Sequence, residues 1–364
     1  MRISKSAMYA ISALAAAGLL AACSGTGSQS SMTPTTQQNA AMGGGHSANP
    51  AHQQINNTLT AVVSHAQHAD HHKSWVSPDA MGAPRLLFIS DATYGDVYIF
   101  TMPHLALKGT ITGFVEPQGM CSDASGNIWL ANTEGNGSAG GTLVQMSRTG
   151  TVLKTIDDNG YYPVGCAVNK ANGDLAVTNI ISTSDNAGNV QVYANGSGTP
   201  TTYTAPNTFE YFFAGYDPSG NLLVDGEANI SRTQTTLAEL PAGSSSMKAI
   251  TLSGSISFPG LVQWYNDGNY WAVGDQNANV VDWVTLSGST ASITGSTPIG
   301  VSGDMVQGTI AANGEKYLAG GTINLSSGSS VNRYPWPAGG TPTNSYQFAQ
   351  SAYNEPIGAA VSTK

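Results

Sequence analysis

The stretch "PQGMCSDASGNIWLAN" (residues 117–132) decides the fold of this chain. It joins a Pro-x-Gly start, a short apolar run, an Asp-x-x-Gly-Asn turn and a second apolar run. The pattern returns as "PVGCAVNKANGDLAVTN" from Pro163, "FAGYDPSGNLLVDG" from Phe213 and "FPGLVQWYNDGNYWAVGD" from Phe258. Looser copies are "VQGTIAANGEKYLAGG" from Val306 and the truncated "PIGAAVS" from Pro356. The anchoring glycines, Gly119, Gly165, Gly215, Gly260, Gly308 and Gly358, are spaced 46, 50, 45, 48 and 50 residues apart. Short strands recurring at that period are expected to form a β-propeller.

Each unit reads as four strands. The Pro-x-Gly segment is the innermost strand, and the Asp-x-x-Gly-Asn turn, rich in residues that tolerate positive φ, leads to the second. An outer hairpin supplies the remaining two, as in "GNVQVYANGSGTPTTYT" (188–204), "LAELPAGSSSMKAITL" (237–252) and "VNRYPWPAGGTPTNSYQF" (331–348). The segment 85–114 carries three strands but no Pro-x-Gly strand, and 355–362 is a Pro-x-Gly strand with nothing behind it. The two fragments complete one sheet, which removes the open edges an array of sheets otherwise has. The expected fold is therefore all-β: a six-bladed propeller over 84–364, closed by terminal strands that share a blade.

The N-terminus predicts export. Arg2 and Lys5 precede an apolar run from Ala10 to Ala22, the layout of a secretory signal and too short for a membrane span. The run ends in Leu20-Ala21-Ala22-Cys23, which resembles the lipobox of bacterial lipoproteins. That resemblance implies cleavage before Cys23, lipid on its sulfur and an extracytoplasmic place in the bacterial envelope; an ordinary signal peptide with an incidental cysteine is the plainer alternative. Residues 23–83 are dominated by Ser, Thr, Gln, Gly and Ala and read as a flexible tether, on the order of 40 Å as a coil. Ile55, Leu59, Val62, Val63 and Ala66 fall at helical spacing within it. Six of the seven histidines lie there, and His68 and His72, four apart, would share a helix face able to hold a metal; a solvated polar linker is the plainer and preferred reading.

Charge excludes one partner class. The chain carries a formal charge of −9, which becomes −11 with the loss of Arg2 and Lys5, and its 13 Lys and Arg are scattered. Nucleic acid is not an expected partner, because phosphate binding needs clustered cations.

The repeated phrase resembles the NHL repeat, with Asp123, Gly126, Asn127 and Asn132 at the positions of that family's Asp-x-x-Gly-Asn and terminal Asp/Asn. The resemblance spans 84–364 and is loose beyond Gly260. It implies a propeller whose function the fold does not choose, since such propellers include enzymes, binding modules and scaffolds. In that plan the connections at the start of the inner strands and the exits of the second strands emerge on one face. They carry Glu116, Gln118, Tyr162, Glu210, Gln307 and Glu355, together with Asn132, Asn179, Asp225 and Asp275. These residues are expected to ring an acidic, amide-rich channel mouth suited to a cation such as Ca²⁺, a glycan, a small ligand or a partner protein. The plainer role for each is to hold loop backbones and neighbouring blades.

Six-bladed lactonases of the gluconolactonase type hold a divalent metal with acidic and amide groups just before the inner-strand glycines. Here those positions are Gln118, Val164, Ala214, Pro259, Gln307 and Ile357, so that set is not reproduced. Lyase-type propellers rely on histidine, and the propeller region holds only His104. The preferred reading is a non-catalytic binding or scaffold module, tethered to membrane lipid through Cys23. The alternative is a Ca-type metal-dependent hydrolase or lyase. Cys121 and Cys166, on successive inner strands, are read as two buried thiols, with an exported disulfide as the alternative.

Overall fold

The computed structural model describes residues 73–311, 315–324, 326–349 and 353–363. The signal, the lipobox at Cys23, the proposed helix at 52–72 and the six tether histidines lie outside the described residues.

The elements follow the repeat. The first sheet comprises β1 (Trp75–Val76), β2 (Arg85–Asp91), β3 (Asp96–Thr101) and β4 (Leu107–Thr112), with a short helix α1 (Pro78–Gly82) after β1. Next come β5 (Pro117–Ser122), β6 (Ile128–Asn132), β7 (Gly140–Met146) and β8 (Val152–Asn159), then β9 (Tyr161–Val168), β10 (Leu175–Ser182), β11 (Ala187–Tyr193) and β12 (Thr201–Tyr203). They are followed by β13 (Glu210–Tyr216), β14 (Leu222–Glu227), β15 (Thr235–Leu240) and β16 (Lys248–Ser253), and by β17 (Pro259–Tyr265), β18 (Tyr270–Asp275), β19 (Val280–Ser287) and β20 (Thr290–Pro298). The last group is β21 (Gly308–Ile310), β22 (Tyr317–Thr322), β23 (Ser330–Pro335) and β24 (Asn344–Gln347), and β25 (Pro356–Thr363) is the last strand among the described residues. Within each group neighbouring strands pair antiparallel in chain order, except that β1 lies beside β4, and β25 pairs with β2 in the register Leu86↔Ser362 to Ile89↔Ala359. The C-terminal strand thus completes the first sheet.

The Asp-x-x-Gly-Asn turn explains its own sequence. Asp123 Oδ1 accepts the main-chain N–H groups of Ser125 (2.8 Å) and Asn127 (2.9 Å), and Oδ2 accepts Asn127 Nδ2 (2.9 Å). Asp217 repeats the arrangement with Ser219 and Asn221. Gly126 and Gly220 sit at φ 79° and 85°, the left-handed region that a glycine enters without penalty.

The inner strands β5, β9, β13, β17, β21 and β25 pack each against the next, and β25 packs against β5. Apolar clusters fill the wedges between successive sheets. Phe88 and Ile99 meet Met120 and Leu130, Trp129 and Leu143 meet Leu175 and Val177, and Tyr317 and Val331 meet Leu87 and Phe100. No sheet could bury both faces alone, so the ring is the unit of stability. The architecture is an all-β propeller of ring-arranged sheets.

Two features depart from the expected plan. The folded part was expected to start at 84, but β1 pairs with the rim strand β4 (Trp75↔Thr110, Val76↔Gly109), and Ser77 caps α1, whose Ala80 is fully buried. Val76 and Ala80 pack into the apolar cluster of the first two sheets, while the Trp75 side chain is half exposed. The close approach needs Gly109, where a Cβ would stand 2.9 Å from the Trp75 carbonyl oxygen. Separately, β16 and β20 pair in parallel (Thr251↔Thr290 to Ser253↔Ser292), fusing the outer edges of two consecutive groups into one eight-stranded sheet.

Candidate functional site

The residues expected to ring a channel mouth are, with one exception, buried. Glu116, Gln118, Asn132, Asn179, Glu210, Asp225, Asp275, Gln307 and Glu355 are all closed off from solvent, and Tyr162 is half-buried against the cluster containing Val164 and Phe212. Most are engaged in holding backbone. Asn132 Oδ1 accepts the Val115 N–H at 2.7 Å while its Nδ2 donates to Thr142 Oγ1 at 3.0 Å. Asp225 Oδ1 accepts the Phe213 N–H at 2.7 Å, and Asp275 accepts those of Ser257 (2.7 Å) and Ala278 (3.1 Å). Asn179 Nδ2 donates to Asn189 Oδ1 at 2.9 Å. The carbonyl of Gln118 accepts Ser90 Oγ at 2.6 Å, and that of Glu116 accepts the Thr133 N–H at 3.2 Å.

Two groupings at this end are brought together. Asp91, on β2, accepts the N–H groups of Thr93, Tyr94 and Glu355 and the Nδ2 of Asn354, tying the last connection to the first sheet. Glu210 takes Arg232 in a bidentate pair (2.6 and 3.1 Å) with both side chains buried, and the guanidinium lies over the Phe212 ring. Burial pushes the Asp91 carboxyl up to about 6, against the opposing hydrogen bonds. It lifts Asp96 to about 7, with the Asp91 charge adding to the effect, and Asp304 to about 6. Asp225 is likewise pushed well up by burial. Among the described residues, no three His, Cys, Asp or Glu side chains converge as a metal site.

A concavity at the acidic end, lined by Pro206 to Phe209, Ala228, Gln234 and Thr236, takes in none of the expected residues, and another lies at the other end of the channel. A cavity of ≈ 520 Å³ is lined by the second halves of the inner strands and their turns: Met120 to Ser122, Cys166 to Ala171, Ala214 to Pro218, Leu261 to Trp264, Gln307 to Ala311 and Ala359 to Val361. Gln307 is shared by both descriptions, because its side chain reaches the channel. Its Oε1 accepts the N–H groups of Met120 and Ala359, both at 2.9 Å, and its Nε2 donates to the Met120 carbonyl at 3.0 Å. Gln263 does the same to a neighbouring strand, donating to the Ile310 carbonyl (2.7 Å) and accepting its N–H (2.8 Å). Lys170 keeps its side chain open to solvent at the rim, yet the concave surround pushes its ammonium down, with Asp123 opposing.

Lys170, Gln263, Trp264 and Asp217 were not among the expected site residues. Their signal was their place in the phrase: they fall two to five positions beyond the anchoring glycine, in the stretch that leads into the turn.

Cys121 and Cys166 form a disulfide with Cα atoms 5.7 Å apart, correcting the reading of two separate thiols. The sheets come this close because of the glycines. A Cβ on Gly119 would lie 2.6 Å from the Val164 carbonyl oxygen, and one on Gly215 would lie 2.8 Å from that of Val262. The Cα separation is within the range a disulfide spans.

No protein-family model and no curated protein matches this sequence. Solved structures do. A chain in a crystal structure of a nidogen/laminin complex aligns with a TM-score of 0.58 at 10% identity, over 76% of this chain and 98% of that one. A protein of unknown function from Bacteroides caccae aligns with a TM-score of 0.56 at 11% identity, over 78% of this chain and all of the other. At such identities the likeness defines the class, a β-propeller, and nothing finer.

Proposed function

We propose that this chain is a six-bladed, NHL-like propeller lipoprotein of the bacterial envelope, held to membrane lipid through Cys23. It acts as a non-catalytic binding or scaffold module. Its ligand enters the channel from the end framed by the Asp-x-x-Gly-Asn turns, not from the acidic end. One observation carries this reading: the carboxylates at the acidic end are buried, largely occupied with loop backbones and absent from the concavity there, whereas the cavity of ≈ 520 Å³ at the opposite end is lined by all six inner strands. A concave site with a few convergent polar groups is the usual form of a binding pocket. Two further points support the proposal. The Cys121–Cys166 disulfide suits an oxidising compartment. The fold likeness to a chain found in a nidogen/laminin complex is consistent with a partner-binding role, by analogy of fold alone.

The test is site-specific photo-crosslinking in intact cells, with the probe at Lys170 on the channel rim or at Ile230, an exposed residue between β14 and β15. A discrete adduct, identified by mass, is expected from position 170 and not from 230. It should disappear when Cys23→Ala removes the anchor. No adduct at 170, or the same adducts from both positions, overturns the proposal.

A further inference from the structure

The channel wall is a set of strand edges, and the chain shows what pairs with them. In an antiparallel pair, residues alternate between those bonded to the partner strand and those whose N–H and C=O both point away from it. Met120 belongs to the second kind: it faces Leu130 across the sheet, and both of its main-chain groups are bonded to the Gln307 carboxamide. Ala359, facing Ile89, is in the same register and also donates to Gln307. Cys166, Ala214 and Val262 are the equivalent residues of β9, β13 and β17, facing Val177, Val224 and Val273. The turn-closing bonds Asn169 N–H to Asp174 O and Asp217 N–H to Asn221 O fix the same alternation for β9 and β13. All three residues line the cavity.

The wall is therefore divided. On β5, β25 and β21 the edge is taken by two glutamine side chains from this chain, Gln307 and Gln263. On the contiguous strands β9, β13 and β17 the register sets the main-chain donors and acceptors of Cys166, Ala214 and Val262 on the inner edge, and all three residues line the cavity. Two independent glutamines meet strand edges in the same way, with amide oxygen accepting and amide nitrogen donating. A planar primary carboxamide is the group that matches a residue's paired N–H and C=O.

Building on the binding role proposed above, we infer that the β9–β13–β17 half of the channel binds peptide-borne primary carboxamides: the side chain of a Gln or Asn, presented on a partner segment that enters past Lys170 and Trp264. A carboxylate of the same shape is excluded, because it offers two acceptors and no donor, and would leave a main-chain carbonyl facing a like charge.

The experiment uses the full chain in detergent and two probes, N-acetyl-Gly-Gln-Gly-N-methylamide and its Glu counterpart. Calorimetric titration measures affinity, and hydrogen exchange read by mass locates the site. The Gln peptide is expected to bind about tenfold more tightly than the Glu peptide. It should slow exchange in segments 161–168, 210–216 and 259–265, and leave segment 117–122, whose edge Gln307 already occupies, unchanged. Equal affinity, no saturable binding of either peptide, or protection confined to other segments overturns the carboxamide assignment. Crosslinking at position 170 is measured independently, so that failure is told apart from failure of the binding role itself.

Discussion

Gln307 grips both main-chain groups of Met120, a residue 187 positions earlier, at 2.9 and 3.0 Å. The same Oε1 holds the N–H of Ala359 on the strand between them, so one carboxamide joins three inner strands near the axis. Gln307→Leu leaves three buried main-chain partners unmet and should cost about 2–4 kcal/mol, at about 1 kcal/mol or slightly more per bond. Gln307→Glu keeps the acceptor and loses the donor, so it should also destabilise. Urea unfolding of both variants checks this, and a midpoint unchanged from the parent for Gln307→Leu contradicts the joint.

The Cys121–Cys166 bond closes a loop of 45 residues between two inner strands. Replacing both cysteines by Ser should lower stability by about 2–4 kcal/mol. Alkylation of the unfolded, unreduced protein should add no label at either position, and reduction should expose both. Two labels before reduction would mean that the bond is absent.

Two buried carboxyls make stability depend on pH. Burial pushes Asp158 to about 7 against hydrogen bonds from Asn179 and Gln191, and pushes Glu227 to about 7 against Gln234 and Thr235. Both take up a proton more readily folded than unfolded. Their penalty is complete above the folded value and gone below the unfolded one, so stability should fall as pH climbs from about 4 to about 7. Asp158→Asn removes the ionisation and keeps the shape. Thermal melts should show the variant more stable than the parent at about pH 8 and equal to it at about pH 4. An equal gap at both values counts against the assignment.

The anchoring glycines can be tested by one methyl group. Gly119→Ala drives a Cβ toward the Val164 carbonyl of the next sheet and should cost about 1–3 kcal/mol. Gly198→Ala, at φ 76° with open space around it, isolates backbone strain and should cost about 1–2 kcal/mol. Adding a second substitution, Gly165→Ala, should deepen the first effect, since a Cβ there meets the Phe212 carbonyl in the same way. Scanning calorimetry reads all three.

The repeated phrase made the strand order legible, including the pairing of Pro356–Thr363 with Arg85–Asp91. That information is local: turn chemistry at Asp123 and Asp217, and alternation on either side of it. The direction of the acidic side chains was not legible. Asp225 and Asp275 sit at strand exits where a carboxylate serves equally to bind a ligand or to accept nearby N–H groups, and only the path of the connecting loops decides between the two. The disulfide was hidden for a related reason. The sequence shows a glycine two residues before Cys121 but not how near that glycine lets the next strand come. The parallel β16–β20 pair carries no composition signal, because it joins strands that already looked complete.

The first sheet has β25 at its axial edge and β1 at its rim. A pulling force applied through Lys73 therefore enters the molecule at the circumference, on a short strand held by the rungs Trp75↔Thr110 and Val76↔Gly109 and by the flanking bonds of Ser74 to Thr112 and Ser77 to Lys108. Those few bonds should part before any strand beside the channel is strained. Mechanically, β1 is a fuse: tension at the N-terminal side is spent on a two-residue strand, and the geometry around the axis is insulated from it.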